Sequence, residues 1–197
     1  MVQVKKNDMR EAILVSAFDL FSRKGYTATT MADIARQAEM NVGTLYVYFD
    51  SKISLLYEVY RPWQIQELDK LATTVRKLRS PSMQLRRLLV GLWGDLPAAD
   101  HSFSNALIEA LASAPPEMGK PNNLLAYVEQ YLSDLLAEIL PEDRLHLLKE
   151  GLLSHLIWMA FDGFTINQRL RDTRDITAMA DLVAGLILND KKVPGAE

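Results

Sequence analysis

Residues 29–49, TTMADIARQAEMNVGTLYVYF, contain two short apolar repeats separated by a four-residue turn. The apolar residues of the first repeat follow the i, i+3, i+4, i+7 spacing of one helical face and are Met31, Ile34, Ala35 and Ala38. Thr30, with Asp33 three residues later, predicts a capping box at the start of that helix. Asn41 predicts the cap of the second helix. The stretch therefore predicts a helix, a turn and another helix.

The second helix of this pair is predicted to have two different faces. Leu45 and Phe49 fall together on a helical wheel and are expected to face the core. The residues on the outer face and its flanks are Gly43, Thr44, Val47, Tyr46 and Tyr48. A glycine lets the backbone approach a base edge or a phosphate, and the hydroxyls, the helix N-terminus and Lys52 can donate to phosphate oxygens. The pattern also fits a helical hairpin whose aromatic residues are only core, because this geometry is common in proteins that bind nothing.

Helical periodicity continues along the rest of the chain. An apolar repeat at four-residue steps precedes the pair and ends at Gly25, which can close a helix. Asp50 or Ser51 can cap a fourth helix, and Pro62 within it predicts a kink or break near Tyr60. Further amphipathic segments are predicted at 81–95, 103–113, 121–139, 142–169 and 174–188. No segment alternates like a strand, so the sequence predicts an all-α fold.

Composition excludes several classes of function. The chain has 197 residues and no cysteine, which rules out disulfides, thiol catalysis and cysteine-based zinc sites. Its net charge is −3, so any binding to phosphates must come from local placement of donors. No apolar run approaches the ~20 residues that span a bilayer, and we expect a cytoplasmic protein with no membrane partner. No catalytic motif is present, and we predict no enzymatic activity and no cofactor.

Residues 17–56, AFDLFSRKGYTATTMADIARQAEMNVGTLYVYFDSKISLL, closely resemble the N-terminal DNA-binding domain of TetR-type transcriptional regulators. The shared features are the FSRKGY segment, the two threonines before the second helix, its D-I-A sequence, and G-T-L-Y-x-Y-F-x-S-K followed by two leucines. The resemblance covers about residues 10–56, roughly a quarter of the chain. It implies an all-helical homodimer with a three-helix helix-turn-helix domain and a larger C-terminal domain for ligand binding and dimerisation.

The resemblance also implies a function and a set of DNA contacts. The expected function is a ligand-responsive regulator, in most cases a repressor, that binds a palindromic operator in double-stranded DNA and is released by a small-molecule effector. The residues at the family's DNA-contacting positions are Thr30, Met31, Ala32, Val42, Gly43, Thr44, Tyr46, Tyr48 and Lys52. The predicted domains are 8–60 for DNA binding, with its helix-turn-helix at about 31–50, and 61–190 for effector binding and dimerisation, before a disordered tail at 191–197.

Three positions depart from the family's pattern. Glu39 occupies a turn position where glycine is common, and a left-handed conformation there would cost about 1 kcal/mol. Val42 and Val47 stand where polar or basic residues are frequent. Base reading is therefore expected to depend on apolar contact with thymine methyls, on backbone groups and on DNA shape.

The C-terminal two thirds carry less specific signals. Bulky apolar residues suited to an effector pocket for a largely apolar molecule are Trp93, Phe103, Leu107, Tyr127, Trp158, Met159 and Phe161. Two apolar stripes resemble the helices through which such regulators dimerise, and their residues are Leu152, His155, Leu156, Met159, Gly163, Met179, Leu182, Val183 and Leu186. Each of these residues could instead belong to an intrachain core.

Two alternatives remain open from the sequence. Glu142, His146 and Glu150 lie at four-residue steps and could present metal ligands on one helical face, although acidic residues at a helix start also stabilise the helix dipole. The second alternative concerns function: the chain could be a helical protein-interaction scaffold without sequence-specific DNA binding. Selection of duplex DNA by the purified protein would distinguish the scaffold from the regulator.

Overall fold

The structure is a computed structural model that describes residues 2–114, 122–171 and 174–188, with side chains given for 7–114, 124–171 and 174–188. Every regular element in these ranges is helical, which confirms the predicted all-α class. None of the helices in these ranges is both long enough and apolar enough to cross a membrane. The predicted tail at 191–197 lies outside the described residues.

Ten α-helices follow one another along the described chain. They are α1 Val2–Lys24, α2 Met31–Gln37, α3 Val42–Tyr48, α4 Lys52–Arg76, α5 Pro81–Val90, α6 Leu96–Ala98, α7 Ser104–Ser113, α8 Asn122–Ile139, α9 Leu152–Arg169 and α10 Ile176–Leu188. A π-helical turn, Gly91–Asp95, joins α5 to α6, and 3-10 segments lie at Ala99–His101 and Glu142–Gly151.

The chain packs as two compact units. The first contains Met1–Gln66 and Ala99–Met118, and the second contains Glu67–Ala98 and Gly119–Glu197. The predicted domain boundary at residue 60 lies inside α4 and remains a prediction.

An aromatic cluster holds Phe103, the residue before α7, in the core of the first unit. The ring of Phe103, which is 1% exposed, lies 4.9 Å from Phe18, 5.5 Å from Tyr60 and 5.0 Å from Trp63, measured between centroids. Pairs in these tilted and edge-to-face arrangements contribute about 0.5–1.5 kcal/mol beyond the burial of their area. Helices α1 and α4 are therefore both packed against Phe103, which comes 85 residues after Phe18 and 40 residues after Trp63.

Of the kink or break predicted near Tyr60, the break does not occur, because α4 runs without interruption from Lys52 to Arg76. Proline removes one backbone donor and its ring crowds the carbonyl four residues earlier, at a cost of about 3 kcal/mol. Two neighbours on the same helix offset that cost: Tyr60 is fully buried, and the indole N–H of Trp63 donates to the Asp100 carboxylate. Tertiary packing here outweighs the local preference of proline.

In the second unit, α5 packs against α10 and α8 packs against α9. The predicted helix over 142–169 is wrong in its first part, because residues 142–151 form a 3-10 segment and α9 begins only at Leu152. Glu150 and Gly151 take left-handed φ values of 59° and 70°, which interrupt the helix. The four-residue steps from Glu142 to Glu150 therefore do not share an α-helical face, and the described residues contain no group of three or more side chains suited to hold a metal ion.

Candidate nucleic-acid interface

The start of α2 is fixed by the predicted capping box. The backbone N–H of Asp33 donates to the Thr30 hydroxyl oxygen at 3.1 Å, and the Thr30 N–H donates to the Asp33 carboxylate at 3.2 Å. The Thr30 hydroxyl also donates to that carboxylate. The hydrogen bond from the hydroxyl lowers the pKa of Asp33 most, and the one from the backbone N–H lowers it further. The cap holds the first turn of α2, with Ala32 exposed at the surface.

A left-handed residue and a backbone hydrogen bond shape the turn between α2 and α3. Glu39 takes a φ of 55°, in the left-handed region, at the position where glycine was expected to be favourable. The Met40 N–H donates to the carbonyl of Ala35 at 2.9 Å, which closes the turn. Asn41 then caps α3, because its side-chain oxygen accepts the Thr44 N–H at 2.7 Å.

Two buried side chains fix the rotation of α3 about its own axis. Leu45 is fully buried and Phe49, the residue that ends the helix, is 5% exposed. The guanidinium group of Arg10 lies over the outer side of the Phe49 ring at 5.5 Å from the centroid and forms an ion pair with Glu58. The expected core face of α3 is therefore present, and its opposite face must point away from the unit.

The outward face of α3 is open, as the helical wheel predicts. Val47 is 78% exposed, Tyr46 is 49% exposed and Gly43 is exposed, while Thr44 and Tyr48 are half-buried. The Tyr48 hydroxyl lies 3.8 Å from the sulfur of Met9 on α1.

Gly43 also has a structural role that the sequence does not reveal. A Cβ atom at this position would lie 3.3 Å from the Asn41 side-chain oxygen that caps the helix. The Thr44 hydroxyl donates to the same oxygen at 3.0 Å. Its proton is therefore engaged within the cap, which weakens Thr44 as a donor to phosphate.

Lys52 is tied to the protein backbone in the structure. Its ammonium group donates to the carbonyl oxygens of Tyr26 and Thr29, both at 2.8 Å, and lies 4.0 Å from the centroid of the Tyr26 ring. Burial lowers the pKa of this ammonium, and the Glu109 carboxylate partly opposes that shift. An ammonium has three N–H donors, so at most one remains for a phosphate.

Glu109 on α7 is a residue of this region that the sequence analysis missed. Its carboxylate accepts the backbone N–H of Thr27 at 2.8 Å, in the loop between α1 and α2. Gly25 takes a φ of 79° in the same loop, and a Cβ atom there would lie 2.8 Å from a Glu109 oxygen. The two partners are 82 residues apart in the sequence, so no local pattern predicts the contact.

Several basic side chains near the helix pair are already engaged with carboxylates. Arg36 pairs with Asp33 within α2, and Arg23 pairs with Asp19 within α1. Asp19 also accepts a hydrogen bond from Gln37. The hydrogen bond from Arg23 lowers the pKa of Asp19 most, and the one from Gln37 lowers it further. These pairs fix the side chains of α1 and α2 and reduce the positive charge that the surface offers.

The predicted effector residues are distributed over both units. Phe103 and Leu107 belong to the first, where Phe103 is part of the aromatic cluster described above. In the second, the Trp93 indole N–H donates to the Ile157 carbonyl at 3.1 Å, and the rings of Trp158 and Phe161 stack at 4.2 Å. Tyr127 is half-buried, and Met159 is 48% exposed on the outer side of α9. Their assignment to a pocket remains a prediction.

The predicted dimer residues lie on an exposed apolar stripe of α9 and on another of α10, which are together called the apolar stripe. Its large exposed members are Leu152, Leu156, Met159, Met179, Leu182 and Leu186, and Ile166 and Leu170 extend it toward the end of α9 and beyond. Gly163 is also exposed, Val183 is half-buried, and the exposed His155 pairs with Glu129 on α8. An open recess of about 460 Å³ adjoins the stripe at Leu152 and Leu156, and none of the predicted effector residues lines it.

Comparison with known proteins identifies the N-terminal region. Residues 13–59 match the sequence model of the N-terminal domain of bacterial regulatory proteins of the tetR family. A stretch of 47 residues is 45% identical to the biofilm operon icaADBC HTH-type negative transcriptional regulator IcaR of Staphylococcus aureus; the match covers 24% of this chain and 25% of IcaR. The resemblance read from residues 17–56 is confirmed, and this region is a TetR-type helix-turn-helix DNA-binding domain.

Two solved structures are similar over nearly the whole chain. The fatty acid degradation regulator FadR from Bacillus halodurans has a TM-score of 0.67 at 21% identity, covering 93% of this chain and 96% of its own. FadR from Bacillus subtilis, solved in complex with stearoyl-CoA, has a TM-score of 0.66 at 20% identity. The match covers 92% of this chain and 99% of the FadR chain. These likenesses establish the fold. This chain matches only about a quarter to a third of the length of relatives found by sequence, such as IcaR.

Lys52→Gln should lower the free energy of unfolding by about 1–3 kcal/mol, because two backbone carbonyls lose a charged donor. Lys70→Gln is the matched control: Lys70 pairs with Glu67 at the surface, and its loss should change stability by less than about 1 kcal/mol. Urea unfolding of both variants measures the difference. Equal effects of the two substitutions would contradict the structural role of Lys52.

Proposed function

We propose that this chain is a ligand-responsive transcriptional regulator, a repressor that binds a palindromic operator as a homodimer and is released by a small-molecule effector. The observation that carries the proposal is the open face of α3, where exposed Gly43, Tyr46 and Val47 lie on a TetR-type helix-turn-helix domain. The name of IcaR, a negative regulator, supports repression. A protein that acts on the bacterial chromosome works in the cytoplasm, and we place its action there.

In the proposed complex α3 enters the major groove and α2 crosses the sugar-phosphate backbone. Thr30 and Ala32 would then face the sugar-phosphate backbone from the start of α2, whereas Met31, which is only 8% exposed, would approach it through its backbone N–H. Val42, Gly43 and Thr44 would approach bases and the adjacent phosphates. Tyr46 and Tyr48 would donate to phosphates from the flanks of α3. Tyr46 is the strongest of these donors, because its hydroxyl is exposed and has no hydrogen-bond partner among the described residues.

The pairing of several cations near the helix pair makes dimerisation important for affinity. Each phosphate neutralised by a cation strengthens binding and increases its dependence on salt. Here Arg10, Arg23 and Arg36 are paired with carboxylates, and Lys52 is held by two carbonyls. One subunit would therefore bind DNA weakly, and two subunits bound to inverted half-sites would combine their contacts.

The apolar stripe on α9 and α10 supports the homodimer. Leu152, Leu156 and Leu186 are each about two-thirds exposed in the single chain, and burying such side chains gains about 25 cal/mol for each Å² of apolar surface. The same stripe on a second copy would form a two-fold symmetric four-helix interface. The alternative, a scaffold that binds another protein through this stripe, predicts no sequence-specific DNA binding.

The effector is proposed to be largely apolar. Trp93, Trp158 and Phe161 are buried in the second unit, and they would supply apolar surface to a molecule that enters its core. The whole-chain likeness to a regulator solved with stearoyl-CoA makes a long-chain acyl-CoA the first ligand to test. An effector that binds one subunit arrangement more tightly than the other would shift the dimer away from the operator.

Selection of random duplex DNA on the purified protein should enrich inverted half-sites whose centres are about one helical turn, ~34 Å, or a multiple of it apart. The salt concentration must be fixed and stated, since it sets the affinity. Tyr46→Phe, which removes only the hydroxyl, should weaken binding to every enriched sequence by about tenfold. Tyr131→Phe in the second unit, whose hydroxyl donates to Asp69, is the control and should leave binding unchanged. Absence of an enriched palindrome would favour the scaffold.

Leu156→Lys should convert the dimer to a monomer, because it places a charge at the centre of the apolar stripe. Met83→Lys is the matched control, since Met83 is similarly exposed, at 53%, but lies on α5. Sedimentation velocity reports the mass of each variant, and circular dichroism shows whether both remain folded. A folded Leu156→Lys variant that is still dimeric would refute the assignment of this stripe.

Stearoyl-CoA should raise the melting temperature and release the enriched operator, because a ligand that binds only the native state stabilises it by about 2.7 kcal/mol at a hundred times its Kd. Coenzyme A without the acyl chain is the control and should produce neither effect. A melting temperature unchanged by stearoyl-CoA would remove long-chain acyl-CoAs from the candidate effectors.

A further inference from the structure

The recognition helix presents an aliphatic side chain to solvent at its most outward position. Val47 is 78% exposed, which makes it the most exposed large apolar side chain in the part of the chain that the structure describes. An aliphatic side chain so exposed gains nothing for stability in the single subunit. We infer that Val47 determines base specificity by contacting the C5-methyl group of a thymine in each operator half-site. The inference rests on the proposed function and adds the base that the helix reads.

The direction of Val47 is fixed by the core. Successive residues of an α-helix are separated by 100°, so Val47 lies about 200° from Leu45, which is fully buried. Phe49 is anchored on the inner side as well, with 5% exposure. The two buried side chains therefore turn Val47 directly away from the unit, which is the direction of the groove when α3 docks as the recognition helix.

The shape of valine suits a fixed apolar contact. A β-branched residue within a helix keeps one χ1 rotamer in about 90% of cases, so its two methyl groups hold their position before DNA arrives. Gly43 lies one helical turn earlier on the same face and adds no side chain. Val42 is less suited to this contact, because it is half-buried at the start of the helix.

The chemistry of the major groove then selects the base. Valine has no donor or acceptor, and so it cannot read the polar edges of guanine, adenine or cytosine. Thymine alone displays a methyl group in the major groove. Contact between that methyl and the isopropyl group removes apolar surface from water on both sides. The expected loss when the methyl is absent is about fourfold for each half-site and about sixteenfold when both half-sites lack it.

The test replaces each thymine of the selected operator, one position at a time, by deoxyuridine, which lacks only the C5-methyl group. For the natural chain, one thymine in each half-site should show the fourfold loss in equilibrium affinity. A 5-methylcytosine·guanine pair at that position restores the methyl and should recover more of the binding than an unmethylated cytosine·guanine pair. For Val47→Ala, the same thymine and deoxyuridine operators should bind within about 1.5-fold of each other.

Val15→Ala is the matched control, because Val15 is also an exposed valine, at 60%, but lies on α1. This variant should keep the full sensitivity to deoxyuridine. The inference is overturned if no thymine responds to loss of its methyl in the natural chain, or if Val47→Ala responds as the natural chain does. If Val47→Ala binds too weakly to measure, Val47→Thr, which keeps one methyl, should bind with a reduced response, and an unchanged response would overturn the inference. Failure of the natural chain to enrich any operator would instead refute the proposed function itself.

Discussion

The burial of Leu45 and Phe49 is the constraint on which the surface of the helix-turn-helix region depends. A helix of seven residues has little stability of its own, so α3 exists in this orientation because these two side chains are removed from water and because Asn41 caps its first turn. Once they are buried, the positions of Gly43 and Val47 follow from helical geometry. The face available to DNA is therefore set by the residues that never touch it.

Much of this region could be predicted because its determinants are local. The capping box of Thr30 and Asp33, the Asn41 cap and the left-handed Glu39 each depend on residues within four positions of one another. Apolar periodicity likewise gave the correct inner face of α3. In such segments the backbone preferences and the tertiary structure agree, which is the condition under which short patterns specify structure.

Local sequence patterns are less informative where contacts between distant residues determine the structure. A continuous α4 through Pro62 depends on the burial of Tyr60 and on the bond from Trp63 to Asp100, which is 37 residues away. Lys52 resembles a phosphate ligand by its position in the motif, yet two carbonyls of an earlier loop hold it. The interruption of the helix before α9 follows from left-handed residues at Glu150 and Gly151 that helical periodicity does not register. The effector residues are the least predictable, since bulky apolar side chains look the same in a core and in a pocket.

The bond from Glu109 to Thr27 has a consequence for the order in which the chain is made. The loop between α1 and α2 leaves the ribosome early, but its carboxylate partner lies 82 residues later. At a synthesis rate of about 5–20 residues per second, the nascent loop waits on the order of ten seconds for that partner. Phe103, the centre of the aromatic cluster, is delayed to a similar degree. The helix-turn-helix region therefore reaches its final packing only after more than half of the polypeptide has been translated.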